Sequence, residues 1–551
     1  MKTGHHPTLS IKNNVAYFLK KHAQDNGDKV AFYFKSNKSP TSYEQITYAQ
    51  LYDKTIRFAK SLHNLGIKQN ENMIVVAPIS VELYIALVGL QVLGAVPVLI
   101  DSITRKDRLI SIMKNANPVG IISLDTWLPV FKEYFNNLKT KIQISNNNFW
   151  VFDSQNPKGL LDNGPHKIKP VNQEQTGLLT YTTGSSGTPK GVNRTHRFLC
   201  AQHCALKRLF PYKNSDIDLP VFPVFTLNNL ASGISTVIPA IDVSRPTPKD
   251  PEILLSQIEE CKVTCMTLAP SSLKSLTKYC NKNNKSLQHI SRVLTGGAPI
   301  SETDISNFTE ITPNSKNWIL YGSTEVEPIS YIEAKEMLST KSSKIKNVTK
   351  KGVTVGKIDE YLKYEFINID TKYFNEPTDL STLKVKKGEV GELVVTGENV
   401  CKEYYKNAEA FTRSKIIDKN GAIWHRTGDL ARIDDNDSLW IVGRKHNVIK
   451  YKNDYLFPVQ PEILLKNLSF VSNAAYIDLN CKNKQTITAV VTLNENNKDK
   501  NKCKDTIFKT FRDAKIPLDK VVYLEKIPMD VRHHSKVNYN DLRQELNEKL
   551  K

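Results

Sequence analysis

The run YTTGSSGTPKG, from Tyr181 to Gly191, combines glycines, which let a backbone turn tightly and approach a ligand, with serine and threonine hydroxyls and one lysine. Exposed N–H groups, hydroxyls and an ammonium in one short segment suit the binding of phosphate. The segment is not a Walker A loop, because Thr188 and Pro189 stand between Gly187 and Lys190 where that pattern needs Gly-Lys-Ser/Thr. GVTVGK, residues 352–357, fails the same spacing. The chain holds no GxGxxG, GxSxG or HExxH, so dinucleotide, hydrolase and zincin chemistry have no local support. A solvated linker shares this composition, and the surroundings of the segment must decide between the two.

Other residues that could do chemistry read more plainly. The eight cysteines form no CxxC. Cys200 and Cys204, with His203 between them, and Cys261 and Cys265 are spaced to share one helix face, but neither pair has a second half at zinc-finger spacing. They are expected to be reduced core thiols of a cytoplasmic protein. The acidic run from Asp434 to Asp437 lacks the glycine and glutamate of a calcium loop and is expected to be a hairpin turn.

The elements that must position these residues alternate along the chain. TYAQLYDKTIRFAKSLHNLG has apolar residues at helical spacing and a glycine stop, and NMIVVAP behind it reads as a buried strand. The rhythm repeats at PVGIISL after a helix over 107–115, at VTCMTLAP after PEILLSQIEEC, and at SRVLTGGAP. Strand, loop and helix in this order predict a covered, largely parallel sheet, with ligands at the carboxyl ends of its strands. GLLTY, leading into the glycine-rich run, reads as one of the strands. From Val353 to about Gly443 short alternating runs predict a β-rich unit, and a compact segment of strands and helices follows it.

With 551 residues, 40% of them hydrophobic, the chain can bury several cores. Its 76 Lys and Arg against 56 Asp and Glu give a net charge of +20, which permits attraction to nucleic acid, anionic membranes or phosphorylated small molecules. The lysines lie among asparagines, in NKNNKS and NENNKDKNKCK, without an arginine-rich arm, so a solvated basic surface is expected and nucleic-acid binding is not. The N-terminus shows no apolar core of a secretory signal. The apolar run from Leu83 to Ile100 contains Gly89, Gln91, Gly94 and Pro97 and reads as a buried helix and short strand, not a membrane span.

Five further segments resolve the ambiguity of the glycine-rich run. TGGAP (Thr295 to Pro299), YGSTE (Tyr321 to Glu325), RTGDL (Arg426 to Leu430), GRKHNVIK (Gly443 to Lys450) and RHHSK (Arg532 to Lys536) follow it in the order found in the adenylate-forming superfamily. The chain resembles that superfamily over nearly its whole length; its members include acyl-CoA synthetases, luciferase-like enzymes and peptide-synthetase adenylation domains. The resemblance implies an α/β fold. Residues 1–442 would form a large N-terminal region of parallel-rich sheets with helices and a β-rich subdomain, 443–446 a hinge moving about Lys445 and His446, and 447–551 a small mobile α+β domain.

It also implies ATP-dependent activation of a carboxylic acid, with Mg²⁺ and, as acceptor, CoA. Thr182, Thr183, Ser185, Ser186, Gly187, Thr188 and Lys190 would cradle the β- and γ-phosphates. Gly296, Gly297, Ala298, Tyr321, Gly322 and Ser323 would line the nucleotide, Tyr321 stacking on adenine. Thr324 would bind the α-phosphate, and Glu325 would hold Mg²⁺, with Glu327 the competing carboxylate. Asp429 and Arg444 would hold the ribose. Lys536 would bridge carboxylate and α-phosphate, a task that needs a compact cation because two anions must meet. Phe222, Phe225, Leu227 and Gly233 would line the acyl pocket.

The sequence departs from the family at positions that bear on the acceptor. Asn453 replaces a common glycine after IK, Ser535 replaces the glycine of the terminal motif, and Thr226 follows Phe225 where a histidine is usual. VFPVFTLNNLASG, LTGGAPI and RHHSKVNY look like the branch that includes fatty-acid-CoA-ligase-like proteins and olefin β-lactone synthetases. The reading is therefore a CoA ligase for a medium- or long-chain fatty acid first, a β-lactone synthetase acting on a β-hydroxy acid second, and a non-catalytic nucleotide-binding protein as the alternative of another class.

Overall fold

The structure, a computed structural model, describes residues 14–35, 42–100, 106–145, 148–151, 158–159, 164, 166–183, 189–242, 245–339, 351–481, 484–494, 499–529 and 537–549. The apolar run at residue 83 begins as the helix Val81–Leu93, every residue of which is buried. Ser80 caps its N-terminus by accepting from the Leu83 N–H, and Gly94, at φ 68°, ends it in the left-handed conformation glycine adopts without strain. The strand Val96–Leu99 follows at once. No described helix is long and apolar enough to cross a membrane.

That strand lies within an eight-stranded sheet. Asn72–Val76, Val96–Leu99, Gly120–Leu124 and Thr140–Ser145 pair in parallel, and Thr176–Thr183 adds in parallel beside Val96–Leu99. Pro189–Thr195 then closes one edge as an antiparallel partner, with Thr182 opposite Lys190 and Tyr181 opposite Gly191. The glycine-rich run thus joins the two strands of a hairpin. Gly191 allows its close approach, since a Cβ there would lie 3.1 Å from the Tyr181 ring.

A second sheet has fourteen strands among the described residues. Val30–Lys35, Ser235–Val237, Ile217–Pro220, Cys265–Leu268, Arg292–Gly296 and Lys316–Ser323 run parallel in that spatial order. Gly296 is in register with Leu320, so residues 296–298 and 321–325 leave the carboxyl ends of adjacent strands, where a parallel sheet places its ligands. The β-rich segment expected as a unit of its own continues this sheet. Val326–Glu333 pairs antiparallel with Lys316–Ser323 on one side and Val353–Ile358 on the other, and the ladder extends through Leu439–Arg444, Ile423–Ile433, Gly391–Thr396 and Lys363–Ile367.

Beyond it, Val471–Cys481, Lys484–Leu493 and Lys520–Tyr523 form a three-stranded sheet with the helices Val459–Lys466, Lys500–Asp513 and Tyr539–Lys549. Of the residues expected as a hinge, Gly443 and Arg444 belong to the strand Leu439–Arg444, and Lys445 opens a single 3-10 turn. Lys445 Nζ donates to Glu392 Oε2 at 3.0 Å and to the Thr371 carbonyl at 3.1 Å.

Candidate active site

Strand alternation puts Lys190, Val192 and Arg194 on one face of Pro189–Thr195. Beneath Lys190 lies Tyr404, buried, with the ammonium 5.7 Å from the ring centroid. The Tyr404 hydroxyl donates to Glu325 Oε1 at 2.9 Å. On the same ring, 5.4 Å from its centroid, stands the ammonium of Lys415, a residue only 1% exposed. Lys415 pairs across the sheet with His425, whose Nδ1 is 3.2 Å from Nζ, and donates to the Cys401 carbonyl.

The charge states follow from these contacts. Burial works against an ionised Glu325, but the Tyr404 hydroxyl and the Lys415 ammonium favour it, and the carboxyl stays below its ordinary value. Burial, with Lys415 adding to it, pushes His425 down to about 3, so the ring is neutral. Burial also lowers Lys415 and Lys190 from the ordinary lysine value.

A second group gathers where the long sheet passes from parallel to antiparallel. The Tyr321 hydroxyl donates to Asp429 Oδ2 at 2.6 Å, and Arg444 Nε lies 2.7 Å from Asp429 Oδ1. Asp429 and Arg444 are cross-strand partners, and Gly428 at φ 69° turns the backbone just before them. Asp429 raises Arg444 above its ordinary value, opposed by burial. Ser323 Oγ, at the end of the strand that carries Tyr321, is buried without a partner among the described residues.

A third group includes a residue that borders an apolar cavity. Arg194 is 3% exposed and donates from one terminal nitrogen to the Thr324 carbonyl at 3.1 Å. Gln202 Nε2 donates to Glu327 Oε2 at 2.9 Å, and Gln202 also lines a cavity of ≈ 70 Å³ with Val88, Leu199, Leu206, Leu227 and His203. Within it His203 Nδ1 and Asn228 Oδ1 are 2.9 Å apart. Phe222 and Phe225 pack 6.0 Å apart between ring centroids, Phe222 against the position of Gly297.

The structure therefore gathers Thr182, Lys190, Thr324 and Glu325 around one hairpin, and Tyr321, Asp429 and Arg444 into one bonded chain. Gly296, Gly297, Ala298, Gly322 and Ser323 lie at the carboxyl ends of the two adjacent strands. Gly233 is not among them: it ends the helix Pro223–Ser232 at φ 71°, and a Cβ there would meet the His22 ring at 2.5 Å. Residues 184–188 and Lys536 lie outside the described residues, as does the side chain of Thr183. Tyr404, Lys415, His425 and Arg194 were not legible as site residues. Lys415 and His425 come together only through the pairing of the strands Lys415–Ile417 and Ile423–Ile433.

Among the described residues no three His, Cys, Asp or Glu side chains cluster as a metal cage. The ionised carboxylate of Glu325, near Lys190 of the hairpin, does fit Mg²⁺, which takes one or two protein oxygens and completes its shell from phosphate and water.

Residues 19–405 match the family of AMP-binding enzymes. The chain is 25% identical over 551 residues, 96% of its length and 97% of the relative's, to the olefin β-lactone synthetase of Stenotrophomonas maltophilia (strain K279a). It is 27% identical over 504 residues, 88% of its length and 86% of the relative's, to 4-coumarate:CoA ligase 1 of Petunia hybrida. In fold it is similar to the o-succinylbenzoate coenzyme A synthetase of Bacillus subtilis solved with ATP and a magnesium ion, with a TM-score of 0.76 at 19% identity, over 96% of this chain and 99% of the other. The chain belongs to the AMP-binding enzyme family and is an adenylate-forming ligase that activates a carboxylic acid.

Proposed function

We propose that the acid is a medium- or long-chain fatty acid and that coenzyme A receives the acyl group. A carboxylate oxygen attacks the α-phosphorus of ATP, the bond to the bridging oxygen breaks, and its electron pair leaves with pyrophosphate. The thiol sulfur of CoA then attacks the acyl carbonyl, AMP departs with the electrons of the anhydride bond, and the thiol proton passes to solvent.

In this reading the hairpin residues Thr182 to Lys190 hold the leaving phosphates, and Thr324 the α-phosphate. Gly296 to Ala298 and Tyr321 to Ser323 line the nucleotide, and Asp429 with Arg444 takes the ribose. Lys536 supplies the cation that lets two anions approach. Glu325 would hold Mg²⁺, which supplies further neutralisation of phosphate charge. Phe222, Phe225 and Leu227 offer apolar walls to the alkyl chain, as a site for such a ligand requires. Residues 443–446 serve as the hinge of a C-terminal domain over 447–551.

The observation that carries the reading is the Lys190–Tyr404–Glu325 contact: an ammonium and an ionised carboxylate share one aromatic residue beneath the glycine-rich hairpin. The test is exchange of labelled pyrophosphate into ATP across a panel of straight-chain acids. Exchange with long-chain acids and a thioester on adding CoA are expected; no exchange with any acid refutes the activation of fatty acids.

A second reading is favoured by the full-length similarity to an olefin β-lactone synthetase. There the substrate's own β-hydroxyl oxygen would attack the adenylate carbonyl and close a four-membered ring as AMP leaves. Asn453 is exposed in the turn between Ile449–Tyr451 and Asp454–Leu456, and the positive φ of that turn falls on Lys452. Its backbone therefore makes no demand for glycine, and the substitution by itself does not exclude a thiol acceptor. A β-hydroxy acid consumed without CoA, with no thioester from either acid, would decide for the lactone.

A further inference from the structure

We propose that Arg194 receives the carboxylate of the acid substrate, at the point where the apolar cavity meets the nucleotide site; this deepens the acid-activating function above and rests on it. Arg194 stands four residues beyond Lys190 on the same face of the strand, about 13 Å further along at the usual rise. Lys190 therefore faces the phosphate end of the site and Arg194 the acid end. Its one bond is to the carbonyl of Thr324, the residue before Glu325.

The guanidinium is buried, yet Nε and one terminal nitrogen have no hydrogen-bond partner among the described residues. Glu327 and Glu325 act on it through space without reaching ion-pair distance, and burial raises the Glu327 carboxyl above its ordinary value, so the counter-charge near the guanidinium is weak and leaving its donors unpaired is costly. The carbonyl of Thr324 orients it without neutralising it, which leaves the planar fork free for a carboxylate, the anion whose geometry it matches.

One face of the helix His196–Leu209 leads from it toward the cavity. Phe198 lies under the guanidinium, 5.6 Å from its ring centroid. Gln202, one helical turn on, bonds Glu327 and borders the cavity, and Leu206 one turn further lines the same cavity. An alkyl chain lying along this face of the helix His196–Leu209 presents its head group to Arg194.

The test compares the wild type with Arg194→Gln and Arg194→Lys. Pyrophosphate exchange is followed as a function of decanoic and of hexadecanoic acid concentration, and binding of hexadecanoic acid and of hexadecanamide is measured calorimetrically without nucleotide. Arg194→Gln is expected to raise the KM for acid about tenfold or more, with a smaller change in kcat and in the KM for ATP, as loss of a charged contact made already in the ground state predicts. It also abolishes the preference for acid over amide, and Arg194→Lys keeps part of both. An unchanged acid KM in an active Arg194→Gln enzyme, an equal rise for ATP and acid, or a wild type that binds acid and amide alike would each overturn the assignment. If the wild type exchanges with no acid, the proposed function fails, and the acid-against-amide comparison still decides Arg194. Should Arg194→Gln not fold, Arg194→Lys and the wild-type comparison carry the test.

Discussion

Replacing Tyr404 by phenylalanine removes one oxygen and leaves the ring on which Lys190 and Lys415 rest. The lost contact is the hydroxyl's donation to Glu325 Oε1 at 2.9 Å. A hydrogen bond to a charged acceptor contributes about 1.5–3 kcal/mol. At about 1.4 kcal/mol per decade, the ionised Glu325 becomes roughly ten- to a hundredfold less favourable relative to its protonated form. Its proton affinity then rises, because one of the groups holding it down is gone. Protons and Mg²⁺ compete for that carboxylate, so the variant should need more Mg²⁺ for half-maximal pyrophosphate exchange, and the requirement should steepen as pH falls. Titrating Mg²⁺ at two pH values checks both, with circular dichroism confirming the fold. An active variant with the wild-type Mg²⁺ requirement at both pH values would refute the place given to Glu325.

Three further outcomes are expected. Lys415→Met fills a similar volume but removes the ammonium that helps hold Glu325 ionised, so the Glu325 carboxyl should rise and exchange should fall, most at low pH; exchange unchanged at every pH would contradict this. Gly296→Ala places a Cβ 2.4 Å from the Leu320 carbonyl oxygen, and the forced shift should lower stability by about 1–3 kcal/mol, read from denaturant unfolding. Glu462 accepts from Tyr476 N–H and from Tyr539, and burial raises its carboxyl above the ordinary value. The fold thus favours its neutral form, whose contribution is complete below the unfolded value and lost as pH rises through the folded one. Glu462→Gln should then gain in melting temperature over the wild type as pH rises above the ordinary glutamate value; a gap that narrows as pH rises would count against it.

The parallel strands were legible because they are buried on both faces and read as apolar runs, as NMIVV and CMTL do. The continuity of the second sheet was not, since Val326–Glu333 and Val353–Ile358 show only their own alternation, and pairing across the intervening residues leaves no local trace. The same division holds in the site. The glycine-rich run, YGSTE and RTGDL stand out because loops that meet phosphate and sugar need particular residues at fixed spacing. Lys415, His425 and Arg194 come from strands, where a lone cation reads as solvent-facing until the partner strand is known. Gly233 shows the converse: its composition suited a pocket, but the structure gives it to a helix end packed on His22.

Two of the buried cations share a pattern, whereas Arg426 is ion-paired with Glu392. Arg194 and Lys415 are each oriented by a backbone carbonyl, of Thr324 and Cys401, and neither forms an ion pair among the described residues. Arg444, in contrast, is paired with Asp429. A carboxylate partner would fix these cations more firmly but cancel the charge on offer, whereas a carbonyl sets direction and leaves the charge intact. Adenylation must bring a carboxylate against a polyphosphate, and the repulsion between them falls only if positive charge is in place before either arrives. In the reading proposed for Arg194, its open donors are the counterpart of the acid: the fold bears a desolvation cost there that a substrate anion would relieve. The pairing of Arg444 fits the opposite need: ribose is neutral, and in the proposed reading Asp429 would serve it as an acceptor whose orientation Arg444 and Tyr321 hold.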